Sequence, residues 1–196
     1  MEEFQDFPKM ARLSRRAIIT EKIDGTNAQI FIGEDGSIKV GSRTRWITPD
    51  DDNFGFAAWA QENREDLLKL GAGRHFGEWW GRGIQRGYAL NERRFSLFNA
   101  IRWAAHGTPV KQIENGDSRI IKMQDQAPAC CHVVPILYDG MFSTDATNHA
   151  IFTLDVNGSS AAPGFMKPEG IVVFHVAGNV GFKKTIEKDD QWKGKQ

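Results

Sequence analysis

From residue 15 the chain reads RRAIITEKI and then NAQIFI, two apolar, β-branched runs separated by Asp24-Gly25. That arrangement predicts two strands joined by a tight turn. A second glycine-marked turn, GEDGS at 33–37, leads into IKVGSR, so the pattern predicts a β-meander. The period then changes. Across PDDDNFGFAAWAQENREDLLKLGAG, residues Ala57, Trp59, Ala60, Leu67, Leu68 and Leu70 recur at helical spacing. Asp51, Asp52 and Asn53 offer capping oxygens before this helix, and Gly71 stops it. RHFGEWWG, RRFSLFNAIRW, HVVPILYDGMF, EGIVVFHV and VGFKKTI return to strand character. Residues 111–126 are mixed, 155–168 are turn-rich and predict a loop, and the polar tail from 187 predicts a frayed end or short helix. The sum is one α+β domain over residues 1–196, mostly antiparallel sheets with one long helix.

Composition narrows the class. With 40% apolar and 26% charged residues and no net charge, the chain has the make-up of an ordinary water-soluble globular domain. No apolar run of about 18 residues spans a membrane. The acidic N-terminus lacks the apolar core of a signal peptide, so a cytoplasmic location is expected. The two cysteines, Cys130 and Cys131, are adjacent, which suits small buried hydrophobes in a reducing compartment. The five histidines show no metal-ligand spacing. Trp59, Trp79, Trp80 and Trp103 read as core residues. Neutrality hides one local bias: between residues 74 and 102, six arginines face two acids. Interleaved with Trp79, Trp80, Tyr88, Phe95 and Phe98, that stretch suits phosphate and base contacts or a solvated face.

Charge placement is more pointed. Lys22, Glu78, Glu169 and Lys183 each sit within or at the end of an otherwise apolar strand. Burying one unpaired charge costs several kcal/mol, on the order of the effective desolvation penalty. Two carboxylates and two lysines in such positions therefore point to a phosphate and metal site. Lys22 itself has two readings: the solvated shoulder of an Asp-Gly turn, or a nucleophile aimed by that turn.

Six short motifs, taken in order, resemble the covalent nucleotidyltransferase superfamily of ATP-dependent RNA and DNA ligases and mRNA capping enzymes. EKIDG (21–25) is similar to the Lys-x-Asp-Gly nucleophile motif, and GSRTR (41–45) to the Ser-Arg motif that follows it. FGEWWG, RFSLFN, PEGIVV and GFKKT look like the remaining four. The Glu-Lys-x-x-Gly-Thr-Asn and Phe-x-Gly-Glu signatures are nearest the RNA ligase branch, which is often phage- or virus-encoded. The resemblance implies a nucleotidyltransferase fold and ATP-dependent sealing of a 5′-phosphate to a 3′-OH through AMP carried on Lys22. It also implies Mg²⁺ or Mn²⁺, held by Glu169 with Glu78, and Lys183 at the α-phosphate. Arg43 and Glu78 would hold the ribose and nearby phosphate, and Phe98 or Phe95 would stack on adenine. A three-residue offset within one strand leaves at least one of those two in the core. Glu21 would read adenine through its main chain, Asp24 and Gly25 would aim Lys22, and Asn27 is a lesser nucleotide contact. Arg82, Arg86, Arg93 and Arg94 are expected to hold nucleic acid, RNA ahead of DNA.

Two features depart from the pattern. The fifth motif carries lysines two apart in the family, whereas Lys183 is followed here by Lys184 and Thr185. Either Thr185 replaces the second lysine or Lys184 serves from a shifted register. No appended barrel domain is expected either, since about a dozen residues follow this motif. A DNA nick-sealing ligase is the alternative within the superfamily. An inactive nucleotide- or nucleic-acid-binding module is the alternative outside it.

Overall fold

The computed structural model describes residues 3–108 and 124–189. In chain order these form β1 (Arg16–Lys22), β2 (Thr26–Ile32), β3 (Ile38–Gly41), β4 (Trp46–Ile47), α1 (Phe56–Glu62) and α2 (Arg64–Leu67). There follow β5 (Gly73–Gly81), β6 (Arg93–Leu97), β7 (Trp103–Ala104), β8 (Asp125–Gln126), β9 (Cys131–Val133) and β10 (Ile136–Met141). The last elements are α3 (Thr144–Asn157), β11 (Gly170–His175) and β12 (Val180–Thr185). Three sheets result, with strand orders β10-β1-β11-β12, β4-β3-β2-β5-β6-β9 and β7-β8. The two larger ones are antiparallel apart from the β6–β9 pair, so the α+β expectation holds.

The meander holds only in its second turn, where β2 pairs with β3 across residues 33–37. β1 pairs with β10 and β11, and β2 pairs with β3 and β5, so the strands flanking Asp24-Gly25 lie in different sheets. Residues 23–25 are a crossing between sheets, not a hairpin turn. An apolar run ending in Asp-Gly cannot distinguish the two, because both reverse the hydrogen-bonding partner at the same place. The chain crosses again at Val134-Pro135, between β9 in one sheet and β10 in the other. The two crossings meet: Glu21 N–H donates to the Pro135 carbonyl at 3.0 Å, and Ile23 packs with Val134, Trp80, Tyr88, Ala100 and Ala162.

Each large sheet turns its apolar face outward onto a helix. Ala28, Ile30, Ile32, Trp79, Phe95 and Leu97 pack with Phe56, Ala57 and Ala60 of α1. Ala17, Ile19, Ile171 and Val173 pack with Ala150 and Leu154 of α3. Period-two alternation then leaves the other two faces looking at each other across a cleft. Asp52 starts α1 by accepting from the Ala57 and Ala58 amides at 2.8 and 3.0 Å. The predicted single long helix is broken at Asn63 (φ −102°, ψ 18°), continues as α2 and one 3-10 turn, and ends at Gly71 (φ +77°). Helix α3 escapes the sequence reading because it buries only Ala150 and Leu154, while Phe152 and Val156 stay exposed. Ser143 caps it, its hydroxyl accepting from the Ala146 amide at 3.1 Å. The strand expected over RRFSLFNAIRW stops at Leu97. Most of the mixed stretch 111–126 and the end of the tail lie outside the described residues.

Gly25 is where the first crossing is tightest. A Cβ there would stand 2.5 Å from the Trp79 carbonyl oxygen and 2.7 Å from the Trp80 Cβ. Neither neighbour can move without breaking β5. Gly25→Ala is expected to destabilise the fold by about 2 kcal/mol or more, in the range of overpacked cores. A denaturation midpoint equal to that of the unmodified protein would contradict this account of the crossing.

Candidate active site

The cleft between the two sheets has a volume of about 790 Å³. From β1 it receives the alternate residues Ile18, Thr20 and Lys22, and from β5 Arg74, Phe76 and Glu78. Val172 and Phe174 of β11 and Lys183 of β12 complete the opposing wall. At its closed end Lys22 forms an ion pair with Glu169, the residue just before β11. The Lys22 side chain keeps 24% of its surface exposed while that of Glu169 keeps 8%, so the carboxylate is fixed and the amine reaches the cleft.

Glu78 faces the same end. Its two carboxylate oxygens accept from the Gly25 amide and the Asn27 side-chain amide, each at 3.0 Å. Burial pushes its carboxyl up to about 7; the two hydrogen bonds and Lys22 act the other way, and nearby Glu169 adds to the rise. The loop carrying Asp24 is held from outside the cleft. The Asp24 amide donates to the Tyr88 hydroxyl at 2.9 Å, and its carboxylate accepts from Arg86 at 3.0 Å. Tyr88 sits edge-on to Trp80 at 4.9 Å, in the left-handed region at φ +51°. Burial raises its hydroxyl well above the usual range, so it stays a neutral hydrogen-bonding group. Glu21 is buried too, and its carboxylate accepts from the Ser159 hydroxyl at 2.6 Å and the Ser160 and Ala161 amides at 2.8 Å. Burial raises the Glu21 carboxyl while these bonds lower it.

Lys22, Glu78 and Lys183 thus line one cleft from strands of both sheets, with Glu21, Asn27 and Phe98 beside them, and Glu169 joins through its ion pair with Lys22. Other expected residues fall elsewhere. Phe95 is fully buried against Phe56 and Trp59 on the far face of its sheet, which leaves Phe98 as the one of the pair that lines the cleft. Arg43 lies in the exposed turn between β3 and β4, off the cleft lining. The β11–β12 register is regular and sets Lys183 opposite Val172, so Lys184 points to the other face, toward Asp189 at 3.7 Å. No register shift brings it back. Three of the four arginines expected to bind nucleic acid are engaged: Arg86 with Asp24 and the Lys167 carbonyl, Arg93 with the Arg82 and Phe54 carbonyls, and Arg94 with Glu92. Arg82 is exposed and has no side-chain partner among the described residues.

Sequence reasoning missed Tyr88 and Ser159 as supports of the site. Their partners lie 64 and 138 positions away. The one local signal is that both sit in glycine- or serine-rich loops that carry no apolar period.

The RNA ligase family model matches residues 15–187, most of the chain. The chain belongs to the RNA ligase family. No curated protein sequence matches it significantly. Among solved structures it is similar to the RNA ligase of Naegleria gruberi. A lysine-to-alanine variant of that ligase with ATP and Mn aligns at TM-score 0.56 and 19% identity, over 88% of this chain and 50% of the other. A glutamate-to-alanine variant, also with ATP and Mn, gives 0.56 and 20% over 89% and 51%. A lysine-to-methionine variant with AMP and Mn gives 0.55 and 20% over 88% and 50%. At this identity the likeness is one of fold, and the chain spans about half the length of the ligase chains it matches.

The elevated Glu78 carboxyl has a consequence for this family member's stability. Since the folded value, about 7, lies above the unfolded value of 4.5, the folded state binds the extra proton between those pH values. Stability is then highest below pH 4.5 with respect to this group and falls as pH rises toward 7. The full difference amounts to about 3 kcal/mol at most. Glu21 contributes in the same direction, so the variant must isolate Glu78. Glu78→Gln is expected to flatten the decline in unfolding free energy between pH 4.5 and 7; a slope identical to that of the unmodified protein would contradict the assignment.

Proposed function

We propose that residues 1–196 form the nucleotidyltransferase domain of an ATP-dependent polynucleotide ligase that seals RNA ends through AMP carried on Lys22. The observation that carries this reading is the placement of Lys22. It stands at the inner end of a cleft large enough for a nucleotide, paired to a fixed carboxylate, with a second lysine, Lys183, on the lining of the same cleft. Apolar walls from Ile18, Phe98, Val172 and Phe174 suit a base, and Phe98 is the residue we assign to stack on adenine. The Glu21 carboxylate is taken by the loop at 159–161 and its N–H by the Pro135 carbonyl, so Glu21 braces the end of β1 beside the nucleotide.

In this mechanism Nζ of Lys22 gives up its proton to water and attacks the α-phosphorus of ATP. A P–N bond forms, the α–β anhydride bond breaks and pyrophosphate leaves. Lys183 stands where it can balance charge developing on the α-phosphate. A 5′-phosphate end then takes the AMP from Lys22, and a 3′-OH attacks that activated phosphate, releasing AMP and closing the strand. Asn27 and the Gly25 amide hold Glu78 toward the nucleotide, while Tyr88 and Arg86 keep the Asp24 turn, and hence Lys22, in one orientation. Among the described residues no group of three or more His, Cys, Asp or Glu converges. A Mg²⁺ or Mn²⁺ at a nucleotide needs only one or two protein carboxylates, and Glu169 and Glu78 would be those that hold it. When bound, such an ion neutralises phosphate charge.

Incubation with α-labelled ATP and Mg²⁺ is expected to label the protein covalently, and Lys22→Ala to abolish the label. Glu169→Gln is expected to cut labelling by about a hundredfold or more, with an unchanged circular dichroism spectrum. Label taken from GTP and not from ATP would overturn the ligase reading.

A further inference from the structure

The inner face of the six-stranded sheet extends well past Glu78. Along β5 it continues through Phe76 to Arg74, and the register carries it across the neighbouring strands. Arg74 lies opposite Phe31, and Phe31 opposite Lys39; Phe76 lies opposite Gln29, Gln29 opposite Gly41, and Gly41 opposite Trp46. Their sequence neighbours Ile30, Ile32, Val40 and Ile47 are buried on the helix side, so these residues share the opposite face. On a sheet so well packed beneath, large aromatics are left uncovered: Phe76 is 52% exposed and Trp46 47%.

Cations are interleaved with them. The Arg74 guanidinium lies 5.4 Å from the Phe31 ring centre and 5.3 Å from that of Trp46, and donates to the Gln29 side-chain oxygen. Lys39 is exposed with no partner among the described residues. Arg102 enters the same cleft from beyond β6, 4.3 Å over Trp103, but is taken up by Asp125 at 3.1 Å and the Leu70 carbonyl. Among the strand residues on this face Glu78 is the one carboxylate, and it stands at the Lys22 end. Rigid aromatic faces separated by cations, with no acid between, match unstacked bases joined by phosphates. A duplex keeps its bases stacked on one another and offers these rings little. A protein partner would call for a face with fewer charges at its centre.

We propose that this sheet face binds the single-stranded end of an RNA, with bases stacked on Trp46 and Phe76 and phosphates against Arg74 and Lys39, leading toward Lys22. The proposal rests on the adenylylation reading for its direction of travel and moves the nucleic-acid surface away from Arg86, Arg93 and Arg94, whose guanidinium groups hold the protein itself together.

Fluorescence anisotropy with an unstructured ten-nucleotide RNA bearing a 5′-hydroxyl tests it without turnover. Trp46→Ala is expected to weaken binding about tenfold, and Trp46→Phe to restore most of the loss. Lys39→Ala with Arg74→Gln is expected to flatten the log–log salt dependence by about 1.4, since each cation on a single strand contributes about 0.7. The same sequence annealed into a duplex is expected to bind more weakly and to ignore Trp46→Ala. Labelling by ATP tests the underlying reading separately, and Trp46→Ala is expected to label like the unmodified protein. Absence of ATP labelling in the unmodified protein would sink the ligase reading. Normal labelling with RNA binding indifferent to Trp46 and to the cation pair would overturn this surface alone. Conversion of a dimer to a monomer by Trp46→Ala in sedimentation would assign the face to a second copy of the chain and overturn it as well.

Discussion

The site depends on one constraint: the chain must pass from one sheet to the other within three residues directly after Lys22. Ile23 fills the apolar junction beneath the crossing, Asp24 is tied by amide and carboxylate to Tyr88 and Arg86, and Gly25 slips past the β5 backbone where no side chain fits. Lys22 ends a strand of one sheet while Glu78, in the other, grips the Gly25 amide. The nucleophile candidate and the carboxylate across from it are thereby held in one frame, and neither rests on a mobile loop. The second crossing, at Val134-Pro135, packs on the first, so loosening either would open the closed end of the cleft.

That frame explains how charges are tolerated inside. Each sheet satisfies its hydrophobic requirement against a helix on its outer face, which frees the inner faces for polar work. Glu169 is answered by Lys22, Glu78 by two N–H donors, and Glu21 by a hydroxyl and two amides. Among the described residues no buried side-chain polar atom lacks a partner. Glu78 nonetheless keeps a strongly raised carboxyl, because neutral donors offset only part of the cost of removing a carboxylate from water. A cation entering beside it would relieve that cost, which is the electrostatic setting a phosphate-bound metal requires.

The arginines divide by the same logic. Arg86, Arg93 and Arg94, which composition alone presented as a basic patch, are consumed in holding carbonyls and carboxylates around the site. Arg74, at the edge of the same stretch, stands among the rings of the inner sheet face. A count of charges along the chain treats these groups as equal; the pairing within the fold does not.

Most strands were legible in the sequence because apolar, β-branched runs punctuated by glycine are local signals, and the run of motifs from EKIDG to GFKKT was legible through its resemblance to the nucleotidyltransferases. Lys22, Glu78, Glu169 and Lys183 were all named from their position in apolar strands. Other features were decided by packing between distant segments. Asp24-Gly25 became a crossing because β10 and β11, more than a hundred residues on, supply the partners of β1. Phe98 faces the cleft and Phe95 the core because α1 covers one side of β6. Lys184 turns away because the β11–β12 register leaves no slack, and α3 forms with only two buried residues because the sheet beneath it needs covering. The sequence by itself determined which residues carry charge and where the strands run, since both follow from side-chain chemistry and backbone periodicity. Which face each side chain occupies, and which charges are spent on the protein's own carbonyls, only the tertiary structure decided, because those outcomes depend on partners far along the chain.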